Sequence, residues 1–407
     1  MRLRRLRREA RWLNRGYLRL FPFGNGLISF NQGTGSALRC ARWLFHSVPL
    51  SEFILKQFVL CLVVGVLLGA QAWACDACGC SLHQPILFSG VAEGKSAVSS
   101  PGAAKVDEGR GDAKNVVAVR AVRPDAAYWF GGIDEQFTSF GTLQSGGGHR
   151  VDNSAGQYEQ SSTTQVYGGW QFNDWASLQL NVPIVNRQFR RPDGNGGIDQ
   201  GNVSGFGDAS LVANFVPYRT RAGEWDFAWT VGGGVKFPTG DWSRLREELG
   251  GGGNGVGPDS AIGGHDLALG SGSFDGLVAT GISLRREAFF WDSEMQYAIR
   301  TAGALGYRYA NEIAWAGGPG VTFWKKNDLA AGLQFRISGS SKGQDSLPGV
   351  DETDTAMTSV YLGPKFTVEW KERLSGHFGV DLPVILDNDG LQAVPDYRVQ
   401  AGVTWRF

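Results

Sequence analysis

From Tyr128 onward the chain alternates apolar and polar residues at period two, over stretches longer than the strands of a small water-soluble domain. In the last eleven residues Tyr397, Val399, Ala401, Val403, Trp405 and Phe407 fall on one face of an extended chain, and Arg398, Gln400, Gly402, Thr404 and Arg406 on the other. Trp225, Phe227, Trp229, Val231, Val235 and Phe237 alternate with Asp226, Ala228, Thr230 and Lys236. Leu329, Ala331, Leu333, Phe335 and Ile337 do the same with Gln334, Arg336 and Ser338, as do Trp291, Met295, Tyr297 and Ile299 with Asp292, Glu294, Gln296 and Arg300. Strands of this kind must cover the apolar face along its whole length, with a second protein layer or with lipid.

Twelve such segments are expected, near residues 128–140, 161–172, 175–185, 206–217, 225–237, 274–286, 288–300, 309–324, 328–339, 355–370, 374–384 and 396–407. Short links at 173–174, 218–224, around Glu287, at 325–327 and at 371–373 alternate with mostly long Gly-, Asp-, Asn- and Ser-rich loops at 141–160, 186–205, 238–273, 301–308, 340–354 and 385–395. Short turns on one side and long loops on the other are the pattern of a transmembrane, antiparallel up-and-down β-barrel. An even strand number places both barrel ends on the short-turn side.

A soluble sandwich would explain the alternation equally well, with the apolar faces turned inward. Composition argues against it: of the chain's 14 Trp and 24 Phe, 11 and 17 lie beyond residue 125, spread over nearly every strand and more than one small core can share. A hairpin recurs in "VYGGWQFNDWASLQLNVPIV", "GPGVTFWKKNDLAAGLQF" and "GPKFTVEWKERLSGHFGVDLPVIL", each with aromatics at the turn. Trp170, Phe172, Trp175, Trp324 and Trp370 are thereby placed as girdle residues at a membrane boundary. Pro183, Pro319, Pro364 and Pro383 require bulges or strand ends.

The ending "YRVQAGVTWRF" resembles the C-terminal assembly signal of Gram-negative outer-membrane barrels, carried by Tyr397, Val399, Val403, Trp405 and Phe407. Further in, "GFGDASLVANFVPY", "VGGGVKFPTGD" and "LGSGSFDGLVATGISL" resemble the outer-membrane transporter family named after the meta-pathway of phenol degradation. That resemblance, over roughly 125–407, implies passage of small, hydrophobic or aromatic solutes and no catalytic residues. It also implies residence in the outer membrane, contact with its lipid and delivery by the barrel assembly machinery.

If the apolar faces meet lipid, the polar faces line a lumen, with Lys236, Asp292, Glu294, Arg300, Gln334, Arg336, Arg398, Gln400 and Arg406 as transport candidates. Both signs of charge occur, so no simple ion selectivity follows. At twelve strands such pairs can equally fill the interior and shut it. The acidic stretches 193–202, 348–356 and 387–390 offer oxygen ligands for calcium, but none has a full loop motif, and they read better as solvated loops. His149, His265 and His377 lack the sequence context of a catalytic triad, even with Ser271 and Ser273 near His265, so a hydrolase is the third reading after a channel and a structural or partner-docking barrel.

The front of the chain reads as targeting sequence. "FVLCLVVGVLLGA", 58–70, is too short to span a bilayer and ends near Ala72-Trp73-Ala74, a small-x-small cleavage pattern, so residues 1–74 read as a leader with a signal peptide. The Arg-rich stretch before it exceeds the need of such a leader, and a translation start near Val48 or Leu50 is expected. The leader holds 11 Lys+Arg against 2 Asp+Glu, leaving 28 basic and 37 acidic residues beyond it, a balance that excludes a nucleic-acid partner.

Residues 75–125 then read as a flexible periplasmic tail poor in aromatics, and 126–407 as the barrel. The tail opens on "CDACGCS", where Cys75, Cys78 and Cys80 with His83 form C-x2-C-x-C-x2-H. Three readings stay open: a soft-metal site for zinc or Cu(I), a disulfide or mixed thiol that engages a periplasmic protein, or a lipid anchor on Cys75. Haem attachment is excluded, since Gly79 stands where C-x-x-C-H needs histidine.

Overall fold

The structure is a computed structural model of the 407-residue chain and describes residues 127–249, 259–371 and 373–407. The expected leader, the tail and the cysteine cluster with His83 lie outside the described residues.

The strands are β1 (Tyr128–Ser145), β2 (His149–Val151), β3 (Tyr158–Asn173), β4 (Ala176–Pro192), β5 (Ile198–Phe206), β6 (Ser210–Ala222), β7 (Trp225–Lys236), β8 (Asp275–Arg286), β9 (Phe289–Ile299), β10 (Glu312–Lys326), β11 (Leu329–Lys342), β12 (Ser346–Leu347), β13 (Val350–Asp351), β14 (Met357–Trp370), β15 (Leu374–Asn388) and β16 (Leu391–Arg406). Twelve of them, all but β2, β5, β12 and β13, form one antiparallel wall in chain order, and β16 closes it on β1 from Phe130–Arg406 to Ser145–Leu391. All twelve expected segments are strands, extended beyond the expected limits mostly on the long-loop side. Closure leaves the wall without the unpaired edge that a sandwich would have. β5 continues the wall outward by pairing with β4 through Ile184–Pro192, above the Ala176–Asn181 stretch that pairs with β6.

The polarity of the two faces decides between the readings weighed from sequence. The apolar series faces out, with Leu333 45%, Phe335 52% and Val403 51% exposed, while Thr230, Gln334, Arg336 and Gln400 on the opposite parity are at most 6% exposed. A soluble barrel has the reverse arrangement. This is a closed twelve-stranded outer-membrane barrel, greasy outside and polar within.

Turns of two or three residues join strands at one end, and Phe407 N–H donates to Trp129 C=O at 2.9 Å, bringing the barrel's two ends to that same side. Trp129, Phe172, Trp175, Trp324, Trp370 and Trp405 stand exposed in a ring there, as a girdle does. The prolines sit at faults in the ladders. Pro383 marks a bulge against β14, Pro319 a gap towards β11 and Pro364 a gap towards β15, because a residue without N–H cannot continue the ladder. The expected loop at 385–395 is corrected: β15 and β16 run on to Asn388 and from Leu391, and only Asp389 and Gly390 turn between them.

Candidate functional site

Three features define what can pass this barrel: the side chains inside it, the loop at its mouth and a break in its wall.

All nine residues expected in the lumen lie on inward positions. Arg336 Nη1 donates to Asp381 Oδ2 at 3.0 Å and to Gln400 Oε1 at 2.5 Å, and Gln400 Nε2 reaches Gln136 Oε1 at 3.3 Å, forming a bar along the inner face from β11 to β1. Gln334 Nε2 donates to the Gly318 carbonyl at 2.9 Å, satisfying a backbone group beside the Pro319 gap. The Arg398 guanidinium covers the Tyr361 ring at 4.1 Å. Asp292 accepts from Ser283 Oγ at 2.8 Å and faces Arg285. Below the bar, Asp292, Glu294, Lys365, Asp134 and His377 line a polar cavity of about 160 Å³. Arg406 ends β16 at the short-turn side, half-buried.

Lys236 and Arg300 are drawn into another network nearer the mouth. Lys236 Nζ pairs with Asp208 at 2.5 Å and Asp275 at 2.9 Å, and Arg300 pairs with the same Asp275 at 3.0 Å and with Glu312 at 3.1 Å. Every member is at most 3% exposed. Buried ions of both signs linked in this way are strongly interdependent, since removing one leaves another uncompensated. Asp208 also accepts from Ser271 N–H at 2.9 Å and Gly240 N–H at 2.9 Å, so the network grips both stems of the loop between β7 and β8.

The described residues of that loop, 237–249 and 259–274, fold into the mouth through a 3-10 turn (Ser243–Glu247) and a one-turn helix α1 (Gly264–Leu267), burying Leu245, Ile262, Leu267 and Leu269. Tyr307 and Tyr309, from the next loop, pack on it with ring centroids 5.0 Å apart. Arg187, fully buried on β4, donates to the carbonyls of Asp266 and Ala268 and faces Glu159 at 3.6 Å.

On α1, His265 is clasped by two carboxylates, Nδ1 to Glu248 at 2.9 Å and Nε2 to Asp266 at 3.2 Å. Burial by itself would lower the imidazole pKa, but Asp266 and Glu248 outweigh it and hold His265 well above its ordinary 6.5. Burial likewise opposes ionisation of Glu248 and Asp266, and the imidazolium overcomes it, lowering both. Neither His265 nor Ser271 stands as an isolated catalytic group: Ser271 Oγ donates to Asp208 at 2.7 Å, and His377 faces Asp134 in the lumen.

The wall itself is interrupted. β15 and β16 pair from Leu374–Trp405 to Asp381–Arg398 and no further. The same register would continue through seven positions, from Leu382 opposite Tyr397 to Asn388 opposite Leu391, yet none is paired. Over this length β15 stays bonded to β14 and β16 to β1, so the two strands part from each other only. Pro383 and Pro395, one on each side, have no N–H to donate. Side chains fill the seam where backbone bonds are missing, with Leu386 packed against buried Met357 and Val394. On its inner side Ala393 N–H donates to Ala261 C=O of the mouth loop at 3.0 Å.

Sequence reasoning found the lumen face and weighed His377 only for a hydrolase, but missed Asp134 and Lys365, which lie at inward positions of strands whose alternation glycines blur. It missed the infolded loop too, although "AIGGHDLALG" carries apolar residues that a solvated loop has no reason to hold.

No family model and no curated protein matches the chain. Among solved structures it is similar to an outer membrane channel from Pseudomonas putida F1, at 13% identity and a TM-score of 0.49, covering 73% of this chain and all of that one. The translocator domain of the autotransporter NalP from Neisseria meningitidis matches at 11% identity and a TM-score of 0.33, covering 69% and 88%. A FadL homologue of Pseudomonas aeruginosa matches at 8% identity and 0.30, covering 69% and 90%.

Proposed function

We propose that this barrel is a transporter that admits small hydrophobic or aromatic solutes sideways from the outer leaflet, through the β15–β16 seam. The unpaired seam carries the reading. A water-filled porin would keep its wall bonded and its interior clear, whereas here the interior holds the Arg336–Asp381–Gln400 bar and an infolded loop, and the wall holds an apolar gap. Leu382, Val384 and Ile385 are exposed along the outer lip of that gap. A solute crossing there exchanges lipid for Leu386, Met357 and Val394, which costs an apolar molecule little and a hydrated one its water. The Ala261–Ala393 bond ties the seam to the mouth loop, so displacement of one loosens the other.

The test is a disulfide across the seam, V384C with P395C, in a chain whose Cys75, Cys78 and Cys80 are replaced by Ser. Cells producing the oxidised variant should lose uptake of a labelled long-chain alcohol, and reduction should restore it. Undiminished uptake through the locked seam would refute lateral entry. The mature N-terminal cysteines are a separate matter: we propose metal or thiol capture there, testable by metal content of the purified protein with and without C78S.

A further inference from the structure

We infer that the lipid-facing wall beside the seam carries a recognition site for amine-bearing amphiphiles, centred on Glu135. The inference rests on the lateral-entry reading for its part in transport, though not for binding. On β1 the inward side chains are Phe130, Gln136 and Thr138, all buried, while Trp129 and Ile133 are exposed to the outside. Glu135 shares their parity. Its carboxylate accepts hydrogen bonds from Ser162 Oγ and Thr164 Oγ1, which lie on the outward face of β3 next to exposed Val166.

Depth makes this unusual. Trp129 marks the lower girdle six residues before Glu135, which at ~3.3 Å per residue and a tilt near 40° puts the carboxylate about 15 Å into an apolar band roughly 25 Å tall. Above it the rings of Phe137 and Tyr397 meet 6.1 Å apart. An ionisable group at that depth is costly and marks function by default. Two hydroxyls occupy its lone pairs but leave its charge uncompensated, and the outward positions of β1, β3 and β16 carry no Lys or Arg. No cation of these described strands stands beside the carboxylate, and a ligand's cation is what the site would pair with.

The surroundings suit a cation with a hydrocarbon tail. Gly131, Gly168 and Ala401, on the same outer face, leave the wall flat around Glu135, where a chain can lie close to the backbone. The seam begins at Arg398, three residues along β16 from Ala401, the direct partner of Glu135. With strands ~4.8 Å apart, its lower corner is about 12 Å away. The segment 382–397 that borders it carries Asp387, Asp389 and Asp396 and no basic residue, so an amine released from Glu135 moves toward negative charge.

The experiment is equilibrium binding of dodecylamine, dodecanol and dodecanoate to the full chain in nanodiscs, against empty nanodiscs. Dodecylamine should bind at least tenfold tighter than dodecanol, and dodecanoate weakest. E135Q should bring the amine to within about twofold of the alcohol without changing alcohol binding, and E135D should keep most of the preference. Equal binding of amine and alcohol by the native chain, or a preference that survives E135Q, would overturn the site. So would E135Q shifting the protein between monomer and oligomer while leaving amine binding intact, since Glu135 would then serve a second copy. The seam-locked variant separates the two readings: retained amine binding with lost uptake supports both, whereas retained binding with undiminished uptake refutes lateral entry and leaves the Glu135 site standing.

Discussion

His377 Nε2 stands 3.5 Å from Asp134 Oδ1, and the two meet over Gly402, which lies opposite both of them in the sheet. The same device recurs one row away, where Tyr167 and Thr404 hydrogen-bond at 2.6 Å across Gly132. Side chains on strands separated by a third strand are ordinarily too far apart to touch. A glycine between them removes the obstruction.

G402A should therefore be felt well beyond one methyl, because the new carbon would overlap the Asp134 carboxylate and crowd the His377 ring. Overpacking of this kind costs about 1–3 kcal/mol. The midpoint temperature of heat modifiability on gels should fall for G402A. G376A, whose Cβ would meet only the Gly402 carbonyl at 3.6 Å, should be neutral by comparison.

The mouth loop should respond to pH at both ends of the scale. His265 has a raised pKa, so its contribution is complete below its ordinary 6.5 and is lost as pH climbs through the higher folded value. Glu248 and Asp266 have lowered values, so theirs is present above 4.5 and 3.8 and is lost in stronger acid. Hydrogen exchange across 259–269 should be slowest between about 4.5 and 6.5, and H265Q should flatten the alkaline rise. Exchange that falls steadily with rising pH, after correction for intrinsic rate, would contradict this.

Arg187 should act as the loop's fastener rather than as a wall residue. R187A leaves the buried carbonyls of Asp266 and Ala268 without their donor, a loss of about 1–3 kcal/mol for each. Exchange should accelerate at 265–269 and stay unchanged in β8–β11. R187K should rescue in part, since Nη1 alone donates to both carbonyls and one ammonium can take its place.

Replacement of 242–267 by a short Gly-Ser linker should raise single-channel conductance several-fold, leaving the Lys236–Asp208 pair in place. Unchanged conductance would place the obstruction at the Arg336–Asp381–Gln400 bar instead.

The wall was legible because period-two alternation in Trp225–Phe237 or Tyr397–Phe407 is a local property, set by each strand meeting lipid on one side and polar groups on the other. Partners within the lumen were not, because Arg336 finds Asp381 and Gln400 across the β11–β14–β15–β16 registers, which no window of sequence displays. The seam lay deeper still: Pro383 and Pro395 are visible one by one, but their placement on facing strands, one position out of step, depends on a register fixed by the two-residue turn at Asp389–Gly390.

That turn has a mechanical consequence. The seam is a slit sewn at both ends, by Asp389–Gly390 at the top and by the Asp381–Arg398 pair at the bottom. It can gape as a buttonhole does, changing its width without changing the number of strands or creating a loose end from which the barrel could unravel. The backbone hydrogen bonds that a passing molecule would otherwise have to break are already absent at rest, so widening is resisted by the contacts among Leu386, Met357 and Val394, by Gln392 Nε2 donating to the Ala356 carbonyl, and by the link from Ala393 to the mouth loop.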